Sequence, residues 1–147
     1  MRLSAKSRYA LASMVVMAQD YSSGECITVI SISERLGISK IYLEQVFSLL
    51  KRGGLVNSVK GAQGGYILTR APRNITAYDV LSAIEQSLFE ATEDTVTDRR
   101  PDIDSTMQEL VFNKLDSAIK STLSSITLQG LVYEAAHRSE QGLMYFI

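Results

Sequence analysis

Cysteine and histidine are the scarcest chemistry in this chain, with one of each, Cys26 and His137. A single thiol excludes an intramolecular disulfide and excludes a thiolate metal cage built within one chain. No cofactor is expected. His137 follows the last helical stretch with no nucleophile patterned around it, and the carboxylates crowd one acidic segment without the spacing of a metal loop. An enzyme is therefore not expected. Long apolar runs are missing too: none reaches the roughly eighteen residues that a membrane-spanning helix needs. The start, Met1-Arg2-Leu3-Ser4, is not followed by the apolar stretch of an export signal, so no membrane association and a cytoplasmic location are expected.

Net charge is also nearly absent, at −1, which looks wrong for a partner of nucleic acid until the chain is divided near residue 75. Residues 1–75 carry ten Lys and Arg against four Asp and Glu, a charge of +6, and residues 76–147 carry five against twelve, a charge of −7. Attraction to phosphate depends on the field within about 10 Å, the Debye length near 0.1 M salt. An acidic half that faces away leaves the basic half its pull on DNA. With 147 residues and 46% apolar composition, one proper core and a dimerisation element are affordable. The expected organisation is a DNA-binding head over 1–75 and a helical dimerisation and regulatory region over 76–147.

The head is legible in order. Ser4 is placed to cap a first helix running to about Gln19, with Leu11, Met14, Val15 and Ala18 as its apolar stripe. Thr28 is placed to cap a second, Val29 to Leu36, in which Ile30, Ile32 and Leu36 supply apolar contacts, and Gly37 stops it in a left-handed conformation. Tyr21 to Glu25 reads as a loop. Ser39 then caps a third helix to about Arg52. Its Leu43, Val46, Phe47 and Leu50 recur at i, i+3, i+4 and i+7 and turn one face to the core. The opposite face keeps Lys40, Ile41, Glu44, Gln45 and Ser48. Gly53-Gly54 ends the helix, Leu55 to Val59 reads as a strand, Lys60 to Gly65 as its turn, and Tyr66 to Thr69 as the return strand. The fold class is mainly α with a small β wing, a winged helix-turn-helix followed by a long dimerisation helix.

Thr76-Ala77-Tyr78-Asp79 matches a capping box and starts a helix with Val80, Leu81 and Ile84 inward, expected to pack under the wing. Residues 87–104, with Glu90, Glu93, Asp94, Asp98, Asp102, Asp104 and Pro101, read as a mobile acidic connection. A long helix follows from about Ser105. Its Met107, Leu110, Val111, Lys114, Leu115, Ala118, Ile119 and Leu123 keep close to a heptad-like stripe that this small core cannot satisfy, and the cheapest partner is the same helix of a second copy. Thr127 caps a last short helix to about Ala136, and the chain ends in an apolar tail, Leu143-Met144-Tyr145-Phe146-Ile147.

A recognition helix sets the side chains of its first turns at base edges, which selects Ser39, Lys40, Glu44 and Gln45, with Tyr42 counted beside them. Gln45 can pair bidentately with adenine and Glu44 can accept from a cytosine amino group, each contact giving about 1–3 kcal/mol of discrimination. Ser39 suits a phosphate. Glu44 suits equally a structural pair with Lys40 or Lys51. Arg2, Lys6 and Arg8, in or before the first turn of the first helix, are phosphate contacts or ordinary surface charge. In the wing, Gly61, Gly64 and Gly65 let the turn approach a phosphate or a narrow groove, with Lys60 and Gln63 projecting into it. A nucleotide-binding loop would place such glycines before a helix rather than between strands.

Met1-Arg2-Leu3-Ser4-Ala5-Lys6-Ser7-Arg8-Tyr9-Ala10, Tyr42-Leu43-Glu44-Gln45, Gly53, Leu55-Val56 and Gly61-Ala62-Gln63-Gly64-Gly65-Tyr66 resemble the Rrf2 family of bacterial regulators over nearly the whole chain. The resemblance implies a homodimeric winged-helix transcription factor on double-stranded DNA with a palindromic operator, commonly a repressor. Several members sense iron-sulfur status through three cysteines between the fifth and sixth helices, and residues 87–105 here contain none. The chain is similar instead to the cluster-free branch that represses cysteine metabolism and ends in a comparable Met-aromatic-aromatic-Ile tail. That branch implies a second partner, cysteine synthase, reached by Tyr145, Phe146 and Ile147, because a chain terminus offers a carboxylate beside an apolar side chain. The same three residues suit cover for a dimer interface. Cys26, just ahead of the second helix, suits a thiol switch or a small buried hydrophobe. A rival class is an interaction module acting through the tail on a metabolic enzyme. A third, a small-molecule sensor with a pocket between the wing and the fourth helix, leaves no mark in the sequence.

Overall fold

The computed structural model describes residues 3–61, 64–90, 96 and 98–146, with the side chains of Leu88 and of 143–146 left aside. Helix α1 spans Ala5–Gln19, α2 Val29–Leu36 and α3 Lys40–Arg52; strands β1, Val56–Val59, and β2, Gly65–Leu68, form the wing. Helix α4 spans Ala77–Ile84. Helix α5 is one rod, Pro101–Met107 and Asn113–Ser124 joined through a π turn at Gln108–Phe112, and α6 is Leu128–Phe146.

The ends of these elements follow from capping chemistry. The Ser4 hydroxyl accepts from the Ser7 N–H at 3.3 Å, and the Thr28 hydroxyl accepts from the Ser31 N–H at 3.1 Å, each satisfying a donor that the first turn leaves orphaned. Thr76 and Asp79 complete both bonds of the capping box, at 3.1 and 2.9 Å. Ser39 differs from expectation. It precedes α3 with its side chain making no cap, and only its carbonyl takes the Leu43 N–H at 3.0 Å. Gly37 closes α2 at φ +66°, and the turn after α3 passes through Gly54 at φ +74°, conformations that a Cβ disfavours.

The core is built around α1, which is buried more broadly than a single stripe: Ser7, Ala10, Ser13, Met14, Val16, Met17 and Ala18 are all inside. Leu43, Val46, Phe47 and Leu50 of α3 meet it, each fully buried as the periodicity requires. In α2 only Ile32 is buried and Ile30 stays open to solvent, so one of the three expected apolar contacts is missing. Tyr21–Ser23 makes a short 3₁₀ turn where a loop was expected.

Strand β1 pairs antiparallel with β2 from Val56 opposite Leu68 to Val59 opposite Gly65. A third segment joins them: the Ile27 N–H donates to the Tyr66 carbonyl at 2.9 Å, and the Tyr66 N–H donates back at 2.8 Å. Gly65 is required there because a Cβ would run into the Ile27 carbonyl.

The second half departs from expectation in how its helices pack and how far they run. The apolar cluster runs across residue 75, with Ile75, Val80 and Leu128 beside Phe47. Helix α4 packs chiefly on α1, α3 and α5 rather than under the wing, which it borders at Leu55 and Arg70. The long helix starts at Pro101, where the missing N–H costs nothing, and Arg100 pairs with Asp102 through two bonds at 3.0 and 2.8 Å. Of the supposed connection, Gln86–Phe89 is a 3₁₀ turn, and residues 91–95 and 97 lie outside the described residues. The last helix is long: α6 runs to Phe146 and contains His137, which contacts Gln141 at 3.1 Å. Its first turn is fastened to α4 by Ala77 N–H to Ile126 carbonyl at 2.8 Å and Leu128 N–H to Ile75 carbonyl at 2.9 Å.

The π turn explains how the α5 stripe is kept together. Met107, Val111, Leu115, Ile119 and Leu123 recur every fourth residue, and in an ordinary α-helix such a row drifts by about 40° per step. One wider turn takes up part of that drift. Leu110, Val111 and Leu115 are 55%, 52% and 53% exposed in the single subunit, and no described residue of α5 is buried.

Candidate nucleic-acid interface

Because α3 spends Leu43, Val46, Phe47 and Leu50 on the core, its other face must meet solvent, and Lys40, Ile41, Glu44, Gln45 and Ser48 are all exposed. Ile41 is 71% exposed, an apolar side chain set among polar ones where a thymine methyl offers contact. Lys6 of α1 closes the rim of a shallow concavity that it shares with Ile41, Glu44, Gln45, Ser48 and Leu49. The first turn of α1 therefore lies beside the polar face of α3, which the sequence order does not reveal. Arg8 is exposed nearby in the chain, and Arg2 lies outside the described residues.

Lys40 and Glu44 approach at 3.7 Å, both more than half exposed. Such a pair is worth about 0–1 kcal/mol, so it holds neither side chain against a stronger partner. Lys51 does not reach Glu44; its ammonium donates to the Ser58 hydroxyl of β1 at 3.1 Å and ties the end of α3 to the wing. Ser39 is exposed with its hydroxyl unused for capping. Tyr42 is set apart from the other candidates: it is half-buried, with its ring edge against Tyr9 at 5.2 Å.

In the wing, Lys60 and Gly61 are exposed at the tip, Gly61 at φ +129°. The Gly64 N–H closes the turn on the Gly61 carbonyl at 3.0 Å, and a Cβ on Gly64 would stand 2.6 Å from the Val59 carbonyl. Gln63 lies outside the described residues. The polar face of α3 with the half-buried Lys6 at its rim, and separately the exposed glycine-built tip of the wing, both belong to the basic half of the chain.

Residues 3–134 match the Rrf2 family, described as an iron-dependent transcriptional regulator. The chain belongs to the Rrf2 family. Relatives include the HTH-type transcriptional regulator IscR of Xenorhabdus nematophila, 39% identical over 132 residues that cover 90% of this chain and 79% of that one. Among solved structures, T. potens IscR superposes with TM-score 0.70 at 36% identity, covering 92% of this chain and 88% of that one. CymR, the global cysteine regulator of B. subtilis, superposes with TM-score 0.73 at 32% identity, covering 91% and 98%. This Rrf2 chain is a DNA-binding transcriptional regulator and not an enzyme.

The iron in the family description meets a poor fit in these residues. One cysteine cannot supply the thiolates of a cluster held by the chain itself, and among the described residues no group of three or more His, Cys, Asp and Glu is placed to hold a metal ion. No helix among the described residues is long and apolar enough to cross a membrane.

One residue of consequence at this surface was invisible in the sequence. Glu85, at the end of α4, accepts the Ser4 N–H and the Ser7 hydroxyl, each at 2.9 Å. Hydrogen bonding from Ser4, through its hydroxyl and its N–H, and then from Ser7, holds the Glu85 carboxyl below the usual carboxylate range against a smaller opposing effect of burial. It thereby orients the first turn of α1 that carries Lys6. No local pattern announces a bond across 81 positions.

Proposed function

We propose that the chain works in the cytoplasm as a homodimeric, cluster-free repressor of cysteine and sulfur metabolism genes, bound to a palindromic operator. The observation that carries the reading is the exposed face of α3 with Lys6 at its rim, in a subunit whose α5 offers a bare apolar row. Two copies joined along α5 present two such faces, and twofold symmetry in the protein matches a palindrome in DNA. Lys40, Glu44 and Gln45 read base edges. Arg2, Lys6, Arg8, Ser39 and the wing residues Lys60, Gly61, Gln63 and Gly64 meet the backbone or a narrow groove, and Tyr42 supports the helix from beneath. Leu110, Val111, Leu115, Ala118, Ile119 and Leu123 form the dimer seam. The cysteine assignment draws on the likeness to CymR together with the single cysteine of this chain.

Cys26 serves as a thiol switch in this reading. It is half-buried and directly precedes Ile27, the residue whose backbone is stitched to β2. Two-electron oxidation by a peroxide, leaving a sulfenic acid and releasing water, adds an oxygen beside the junction of wing and α2. A CymR from Staphylococcus aureus, 30% identical, has been solved in an oxidized form.

The deciding experiment is selection of genomic fragments on the full-length protein, followed by sequencing and a salt titration. The expected result is a twofold-symmetric site bound with steep salt dependence. Salt-insensitive retention, or a site with no dyad, overturns the reading in favour of a tail-driven interaction module. For the second partner, cysteine synthase, the reading assigns the contact to the tail; α6 stays helical to Phe146, and Ile147 lies outside the described residues. Deleting Ile147 is expected to abolish co-purification of the enzyme while leaving operator binding intact.

A further inference from the structure

Where the last turn of α3 meets α4, Arg52, Gly53, Leu55, Arg70, Tyr78, Asp79, Ser82, Ala83 and Gln86 enclose a cleft of about 310 Å³, a size suited to a small metabolite. Ser82 lines it, and its hydroxyl oxygen is buried with no hydrogen-bond partner among the described residues. It does not fold back on the carbonyl one turn before it, the usual resort of a helical serine, and a buried hydroxyl left unpaired is costly.

The charges around it are unequally used. Arg70 is spent: its guanidinium donates to Asp79 at 3.0 Å and to the Asn74 carbonyl at 2.8 Å. Asp79 is spent as well, since it also takes the Thr76 N–H at 2.9 Å in the capping box. Arg52 has no carboxylate partner among the described residues, so one cation is left over. Tyr78, Leu55 and Ala83 supply an apolar wall, which a bare inorganic ion has no use for.

We propose that this cleft binds a small metabolite through an oxyanion group, carboxylate or phosphoryl, paired with Arg52, while the Ser82 hydroxyl and the Gln86 amide serve its polar atoms. The occupant sits against the machinery that reads DNA. A Cβ placed on Gly53 would stand 2.8 Å from that of Ala83, so the end of α3 and α4 are already in close contact, and Leu55 and Arg70 are the two roots of the wing. A ligand wedged between Arg52 and Ser82 therefore biases the angle between reading helix and wing. This last step rests on the gene-regulator reading; occupancy of the cleft does not.

The test uses the full-length protein and two probes, inorganic phosphate and succinate, titrated separately at constant ionic strength against chloride while the melting temperature is followed. A saturable rise with either probe, its half-point moved up about tenfold or more in Arg52→Gln as expected for loss of a charged hydrogen bond, supports the site. The Ser82→Ala variant should melt higher without probe and respond less to it, and Arg73→Gln, outside the cleft, should respond like the parent. A rise with phosphate alone or with succinate alone names the group. No saturable rise with either, or an equal rise in Arg52→Gln, overturns the proposal. So does a loss of operator affinity in Arg52→Gln with an unchanged probe response, which makes Arg52 a contact to DNA phosphate instead. Operator binding without probe is read in parallel: its absence in the parent protein defeats the gene-regulator reading and leaves the melting result to decide the cleft.

Discussion

Along α3 every inward apolar side chain, Leu43, Val46, Phe47 and Leu50, is fully buried within its own subunit, whereas along α5 Leu110, Val111 and Leu115 each keep more than half of their surface open. Both helices carry an apolar row of similar richness, and they differ in what stands opposite. The row of α3 faces α1 and α4, while α5 meets α4 through its second part, Asn113–Ser124, and leaves Leu110, Val111 and Leu115 open. Apolar burial contributes about 25 cal/mol per Å² removed from water, so the head collects its share on folding, and in the proposed dimer the open part of the α5 row collects its share on association. The lesson is that one chain contains a closed core and an open apolar row, and that the core draws on both sides of the charge boundary near residue 75.

The contrast can be broken most violently on the inner side. Phe47→Ala empties the centre of the head and is expected to cost about 3–5 kcal/mol of unfolding free energy, measured by urea denaturation, with DNA binding lost as a consequence of unfolding. Leu115→Glu should do the opposite: circular dichroism keeps the helical signal of the head while sedimentation shows a single subunit. Operator affinity should then fall by about 100-fold or more, since two half-sites no longer bind as one. A dimer that survives this charge would move the seam elsewhere.

Smaller effects separate the parts of the reading surface. In Gln45→Ala, discrimination at one base pair should relax by about 1–3 kcal/mol, seen as a changed preference in a selection experiment; an unaltered preference removes Gln45 from the reading set. Lys60→Ala and Lys6→Ala should weaken all sequences alike and lower the salt slope by about 1 each. The mildest change is acid dependence. Because its folded carboxyl lies below the ordinary value of 4.5, Glu85 stabilises the fold fully above that value and loses its contribution as pH falls through the lowered one. Glu85→Gln should therefore flatten the acid side of the stability curve and leave the neutral side nearly level.

Local chemistry and periodicity by themselves determined most of the head and the start of α4: caps at Ser4, Thr28 and Thr76, the stop at Gly37, the i, i+3, i+4, i+7 face of α3 and the glycine tip are all written in neighbouring residues, because hydrogen-bond closure within a turn involves only near positions. The polar face of α3 came with them, as the complement of its buried one. Only the tertiary structure decided that Ile27 joins the wing, that Lys6 rims the reading face, that Glu85 holds the first turn of α1 and that Leu128 completes the core across residue 75. It also decided that α6 continues beyond Ala136 and that a π turn re-aims the row of α5. Each of these is set by what packs opposite, and a sequence read along its length specifies the faces of its helices without saying which faces meet.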